Sequence, residues 1–252
     1  MWKILRTMVK SKVNFVTCYC VTSLFKIILS SLFVVLLTLL PLTSQAKFFF
    51  QSAQLTKQIA PNILSLKKSI KEINPRVLEL ALAAQQKAQA MGVTSKPILT
   101  IIDYSLPATK PRLWVVDVAR GKVVYHTHVA HGSGSGGDVA NRFSDVPGSL
   151  QTSLGVFVTG KTYHGKHGNS LTLHGLEKGI NGNAEKRRIV IHAAHYVGES
   201  YIKSTGRLGR SWGCPALSTH LAQPIIHTIK EGSLLFAYYP DKKWLNRSQF
   251  LP

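Results

Sequence analysis

The sequence predicts a mostly β domain with a few helices, preceded by one amphipathic helix. Three observations carry that reading. From Ile98 onward, short apolar runs alternate with clusters of Gly, Pro, Ser and Asn, the texture of strands and turns. Asp117–Gly121 sits between two of those runs as a hairpin loop. Before Ile98 the period is instead helical: Val77, Leu78, Ala81, Ala84, Ala88 and Met91 fall on one stripe, opened by Asn74-Pro75 and closed by Gly92.

Taken in order, residues 1–46 carry Lys3, Arg6, Lys10, Lys12 and Lys26 and no acid, then the 14-residue apolar run Ile27–Leu40, Pro41 and the small residues of Ser44-Gln45-Ala46. That is the layout of a secretory signal peptide cleaved after Ala46, and it predicts export to the periplasm or cell envelope. An uncleaved anchor is the alternative, although a span needs ~20 apolar residues. Residues 47–94 read as a linker, with a short helix near 63–70, followed by the amphipathic helix. Residues 95–240 form the main domain and 241–252 a polar tail. Within the domain, strands are expected at 98–104, 113–118, 122–130, 154–159, 170–174 and from about 188 to His192. A helical turn is expected near 197–203, a helix at 224–231 with Pro224 at its start, and a last strand at 234–239. His131–Gly137 is glycine-rich but lacks the Gly-Lys-Ser/Thr of a phosphate loop, and no helix follows, so it reads as a mobile rim rather than a nucleotide site. Gly175–Asn183 reads as a polar loop.

The chain has 252 residues and 45% hydrophobic content, enough to bury a core. Without the five bases of residues 1–46, 26 basic residues face 11 acidic ones, a net charge near +15. The bases are spread along the chain, with no arginine-rich block and no recognition-helix pattern, which argues against nucleic acid. For an exported protein this charge points to an anionic cell-wall polymer or membrane surface. Cys18 and Cys20 leave with the signal, so Cys214 is the one mature cysteine and no intramolecular disulfide can form. A lone thiol in an oxidising compartment favours a functional role.

The stretch 189–217 concentrates the chemistry. The apolar run Ile189–Ile191 delivers His192 at a strand end, and His195 follows three residues later. A loop with Gly206, Gly209 and Gly213 then carries Cys214, followed by Pro215. Glycine lets the backbone turn sharply, and the proline favours an extended cysteine. A thiol on such a loop with an imidazole in reach suits covalent acyl transfer. The backbone N–H groups of Gly213 and Cys214 are candidate oxyanion donors. Arg207 and Arg210 add positive charge, which would lower the thiol pKa and attract an anionic substrate. Either His192 or His195 can serve as base, and the Ala193 carbonyl can orient the imidazole. Trp212 either covers the acyl site or packs.

On these residues the chain resembles the L,D-transpeptidases with a YkuD-type catalytic domain. The likeness rests on a strand-end His followed by a Ser/Thr-x-Gly-Cys loop, here Ser211-Trp212-Gly213-Cys214-Pro215-Ala216, and on the longer Gly-Arg-Leu-Gly-Arg-Ser-Trp-Gly-Cys-Pro-Ala at 206–216, which marks one branch of that family. It extends over about 95–240 through Leu113-Trp-Val-Val-Asp117, His131-Gly132, Gly175-Leu176-Glu177 and Asn181-Gly-Asn183. Ala216 stands where the better-studied branch has Arg, and Trp212 where it often has His. The resemblance implies a mixed β-sheet or sandwich wrapped around a Cys-containing cleft. It implies Cys214 as nucleophile and His192 as base, and Ser211, Arg207, Arg210 and His195 on the substrate side. The implied partner is a peptidoglycan stem peptide. The reaction is 3→3 cross-linking with release of terminal D-alanine, without ATP, metal or other cofactor. An L,D-carboxypeptidase on the same stems is the alternative. Further off stand a zinc hydrolase using His126-x-His128, or His192, His195 and Cys214, and a non-catalytic wall-binding protein. The sequence leaves the oligomeric state open.

Overall fold

A computed structural model of the chain describes residues 72–166 and 168–252, together with Leu66 and Ile70. The expected signal peptide and most of the linker, with the short helix at 63–70, lie outside the described residues. Helix α1 (Pro75–Ala90) begins as its sequence predicts. The Asn74 side chain accepts from the N–H of Arg76, and Pro75 takes the first helical position, where its missing N–H costs nothing. Val77, Leu78, Ala81, Ala84 and Ala88 are buried in the main core. Met91 departs from the expected stripe: it is 48% exposed, because the helix has ended and Met91 is its C-cap.

Eight strands form one sheet: β1 (Ile98–Asp103), β2 (Leu113–Asp117), β3 (Lys122–Thr127), β4 (Gly155–Gly165), β5 (Gly168–Gly175), β6 (Val190–Ala193), β7 (Ala216–Leu217) and β8 (Leu234–Tyr238). Their order is β3-β2-β1-β8-β4-β5-β6-β7. The pairs β1–β8 and β6–β7 are parallel and the others antiparallel, so the sheet is mixed, as expected. All five residues of β8 are buried, which suits a central strand covered on both faces. Beyond β3 the chain bridges to β7 through Ala130 and Ala216, so the sheet curls until its two edges meet. Helix α1 packs on β1 and β8, and helix α3 (Thr219–Ile229) packs on β6 and β1. Helix α2 (Glu199–Thr205) is the expected turn near 197–203. Among the described residues no helix is long and apolar enough to cross a membrane.

Five expectations are corrected. Strand β3 stops at Thr127, three residues short, where the chain leaves its neighbour to reach β7. Strand β4 runs on to Gly165 because it pairs with β5 around a register shift between Thr159 and Thr162. Helix α3 starts at Thr219, so Pro224 lies inside it rather than at its start. The carbonyl that Pro224 cannot serve belongs to His220, which is exposed to water. The tail is not merely polar: α4 (Lys242–Leu245) buries Trp244 to 1% exposure, and Phe250 follows it into the core. The Trp244 indole donates to Glu177. Glu177 and Asn181 are buried, and so the expected polar loop is a polar clamp. Glu177 accepts from the N–H of Val156 at 2.6 Å, while Asn181 Nδ2 donates to the carbonyls of Leu154 and Val156.

Candidate active site

The parallel β6–β7 pair sets the geometry. His192 is in register with Ala216, and Cys214 precedes Ala216 by two residues, so a 22-residue separation in sequence closes to neighbouring strands, about 5 Å apart. His192 is 3% exposed, and its Nδ1 lies 2.9 Å from the Ala193 carbonyl oxygen. A carbonyl can only accept, so Nδ1 carries the hydrogen. In the neutral ring, Nε2 is then the basic nitrogen. Cys214 is half-buried and is the free cysteine among the described residues. Its Sγ points at the Arg188 carbonyl, 3.7 Å away. Arg188 holds a left-handed φ of 54°, unusual for a side-chain-bearing residue.

The loop carrying Cys214 is held by a network of hydrogen bonds. Ser211 N donates to His131 O, and Ser133 N donates to Ser211 O. The Ser211 hydroxyl donates to the Cys214 carbonyl at 2.6 Å and accepts from Gly213 N at 3.1 Å. Ser211 therefore braces the Cys214 loop from within. The Gly213 N–H is committed to that hydroxyl, which corrects its expected role as an oxyanion donor and leaves the N–H of Cys214 as the candidate from this loop. Thr152 ties the Gly213 carbonyl to the Gly132 N–H. A Cβ on Gly132 would run into the Gly213 backbone. The glycine-rich stretch at 131–137 is thus a packed floor, with His131 and Ser135 buried, and not a mobile rim. Trp212, between two buried neighbours, is 80% exposed and neither packs nor covers Cys214.

The charge on the thiol comes from a different arginine than expected. Arg207 bonds the Leu208 carbonyl and Arg210 the Gly136 carbonyl. The cation that lowers the Cys214 pKa is Arg187, which lies 3.2 Å from where a Gly213 Cβ would sit. Arg187 fixes the carbonyls of Ser144 and Gln151 and the hydroxyls of Ser149 and Ser153. In sequence it is one of two arginines in a charged stretch before β6, a pattern indistinguishable from a solvated turn. Burial outweighs both the Val190 N–H and Arg187, and the thiol pKa is raised overall. Cys214 therefore rests as a thiol, and any attack by it would need a base to take the proton. Replacing Arg187 by Met should raise the thiol titration further, read as the pH dependence of iodoacetamide labelling, whereas Arg187→Lys should retain part of the effect.

His195 is exposed, with its ring edge-on to Tyr196 at 5.5 Å, and shares a cavity with His126 and His128 instead of facing the thiol's strand register. His126 stacks on Trp114 and meets Glu72 at 2.9 Å, and His128 points to the Thr109 carbonyl. Among the described residues no group of three or more His, Cys, Asp or Glu is arranged to hold a metal ion. His174 pairs with Glu185 on the surface. Sequence reasoning missed Tyr196, whose pKa is pushed up to about 12 by burial and by the nearby Cys214.

Behind the loop sits fully buried Arg112. It donates to the carbonyls of Leu106 and Val129 and to His131 Nδ1 at 2.7 Å, and lies over the Tyr104 ring. Burial and Arg112 lower the His131 pKa to about 4. A depressed folded-state pKa means stability that is present above the unfolded value of about 6.5 and lost as pH falls through 4. The loss amounts to about 3 kcal/mol across that window. Denaturant melts between pH 7 and pH 4 should show this slope, and His131→Asn should flatten it.

The chain is similar to proteins of one family. The L,D-transpeptidase catalytic domain family (YkuD_2) matches residues 69–238. No curated protein sequence gives a significant match. Among solved structures, an L,D-transpeptidase from Mycobacterium smegmatis is 14% identical over 57% of this chain and 59% of its own, with a TM-score of 0.35. One from Xylanimonas cellulosilytica is 15% identical over 66% of this chain and 94% of its own, and one from Stackebrandtia nassauensis 17% over 71% and 77%, each at a TM-score of 0.35. The chain spans 59% of the length of the first of these. With a family match across most of the sequence, over the segment that carries β6, β7, His192 and Cys214, the chain belongs to the L,D-transpeptidase catalytic domain family.

Proposed function

We propose that the chain is a peptidoglycan L,D-transpeptidase with Cys214 as nucleophile and His192 as base. The observation that carries the proposal is the Nδ1–H bond from His192 to the Ala193 carbonyl, on a strand whose register brings Cys214 alongside. That bond fixes a tautomer with a basic Nε2, the nitrogen a protonated thiol requires. In the first step Nε2 takes the thiol proton as sulfur attacks the carbonyl of the third stem residue. The N–H of Cys214 is the loop's donor toward the resulting oxyanion. The C–N bond then breaks, and D-alanine leaves with the proton returned by the imidazolium. The thioester keeps the energy of the cleaved amide. A side-chain amine of a second stem attacks it, loses a proton to His192 and regenerates the thiol, giving a 3→3 cross-link.

Hydrolysis of the same thioester is a second reading, favoured by the partial exposure of Cys214 and by a Trp212 that leaves it uncovered. Incubation with disaccharide tetrapeptide, followed by mass analysis, separates the two. Dimer with one D-alanine lost means transpeptidase, tripeptide means carboxypeptidase, and unchanged substrate overturns both. Such a substrate also requires export. The secreted form should begin at Lys47 by intact mass, whereas retention of the apolar run Ile27–Leu40 would make the protein membrane-anchored.

A further inference from the structure

Where the curled sheet closes, a cavity of about 550 Å³ opens between β3, the segment after β6 and the start of α3. Four histidines from these separate segments line it: His126, His128, His195 and His220. Ser218, the N-cap of α3, lines it too. A serine at this position ordinarily accepts from an N–H of the first turn. Here the Leu221 and Ala222 N–H groups both go to the Ser218 carbonyl, and the hydroxyl makes no capping bond. Ser218 is 5% exposed and its Oγ has no hydrogen-bond partner. An unpaired buried hydroxyl is costly, so its retention needs a reason. The N–H groups of Thr219 and His220 are the remaining first-turn donors of an 11-residue helix, and its positive dipole end faces the same space.

Uncommitted donors, imidazoles and a helix N-terminus together describe a receptor for negative charge. Glu199 lines the cavity and is exposed, Glu72 meets His126 at 2.9 Å and His128 points to the Thr109 carbonyl, so Ser218, His220 and the first-turn N–H groups carry the binding. We propose that this cavity is an oxyanion-binding site, separate from Cys214, that takes a carboxylate or phosphate group. Neither Cys214 nor His192 lines this cavity. The site therefore receives a second anionic group, and it stands whether or not Cys214 is the nucleophile.

The test is calorimetric titration of the intact chain with inorganic phosphate at constant ionic strength, with acetate as a parallel arm. Wild type should show one saturable site. Ser218→Ala should leave the unliganded melting temperature unchanged or higher, since the hydroxyl has no partner to lose, and should weaken phosphate roughly tenfold or more. His220→Ala should weaken it in the same direction, and neither variant should alter acylation of Cys214 by a carbapenem. Equal binding of acetate and phosphate identifies a carboxylate-sized site, while phosphate alone identifies a phosphoryl group. The proposal is overturned by the absence of saturable binding, by variants that bind as tightly as wild type, or by a signal that needs Zn²⁺ and vanishes with chelator.

Discussion

Cys214→Ala is expected to abolish acyl-enzyme formation, seen as complete loss of the mass shift with a carbapenem and of tetrapeptide turnover. The thiol is the free cysteine of the described chain, and the loop offers no other nucleophile in its place. The Ser211 hydroxyl already donates to the Cys214 carbonyl. Cys214→Ser should be nearly as inactive, because a hydroxyl is far harder to ionise than a thiol of pKa ~8.5. His192→Ala should retain the fold and lose roughly 100-fold or more in acylation rate, since the general base is gone. His195→Ala should lose much less, its ring being exposed and turned toward the histidine-lined cavity. If His195→Ala were the dead variant, the base assignment would fail while the reaction class survived. Tetrapeptide processing by Cys214→Ala would end the covalent mechanism.

Gly132→Ala should cost about 3 kcal/mol, the upper end of ordinary overpacking, and should cut acylation as well. The new methyl would meet the Leu150 carbonyl and lie 2.7 Å from Gly213 Cα and 2.8 Å from Gly213 N. These are backbone atoms, and each neighbour is tied: Gly213 through Thr152 and Ser211, Leu150 through the N–H of Gly134. Relief therefore has to come from shifting the Cys214 loop. Gly137→Ala, five residues on in the same glycine-rich stretch, is the control. Its Cβ meets nothing within 4 Å, and it should leave stability and acylation nearly unchanged. Denaturant midpoints for the pair, with carbapenem labelling rates, check that the stretch is a floor at Gly132 and open at Gly137.

Local chemistry made much of the chain legible in its sequence. The Asn74-Pro75 start of α1, the apolar runs of β1, β2 and β8, and the placement of His192 at a strand end all follow from periodicity and capping, which act between near neighbours. The motif around Cys214 pointed to the reaction class. The start of α3 was misplaced because Pro224 reads as a first-turn residue, yet the buried Ala222, Ile225, Ile226 and Ile229 hold the helix through it.

What the sequence could not decide is whatever depends on long-range approach. Only the fold commits the Gly213 N–H to Ser211, lays Gly132 against Gly213, and sets Arg187 rather than Arg207 or Arg210 beside the thiol. Gly175–Asn183 looked solvated because its polar residues carry no local sign of burial; Trp244, 67 residues from Glu177, is part of what buries them. The curl that joins Ala130 to Ala216 is equally invisible, since strand order is fixed by which edges can cover one core and not by any single strand's pattern. The sequence alone determined the glycine-rich loop that carries Cys214 and pointed to the family. The tertiary structure decided which charges, donors and walls that thiol meets, because electrostatics and packing act through space and the chain brings those groups together only by folding.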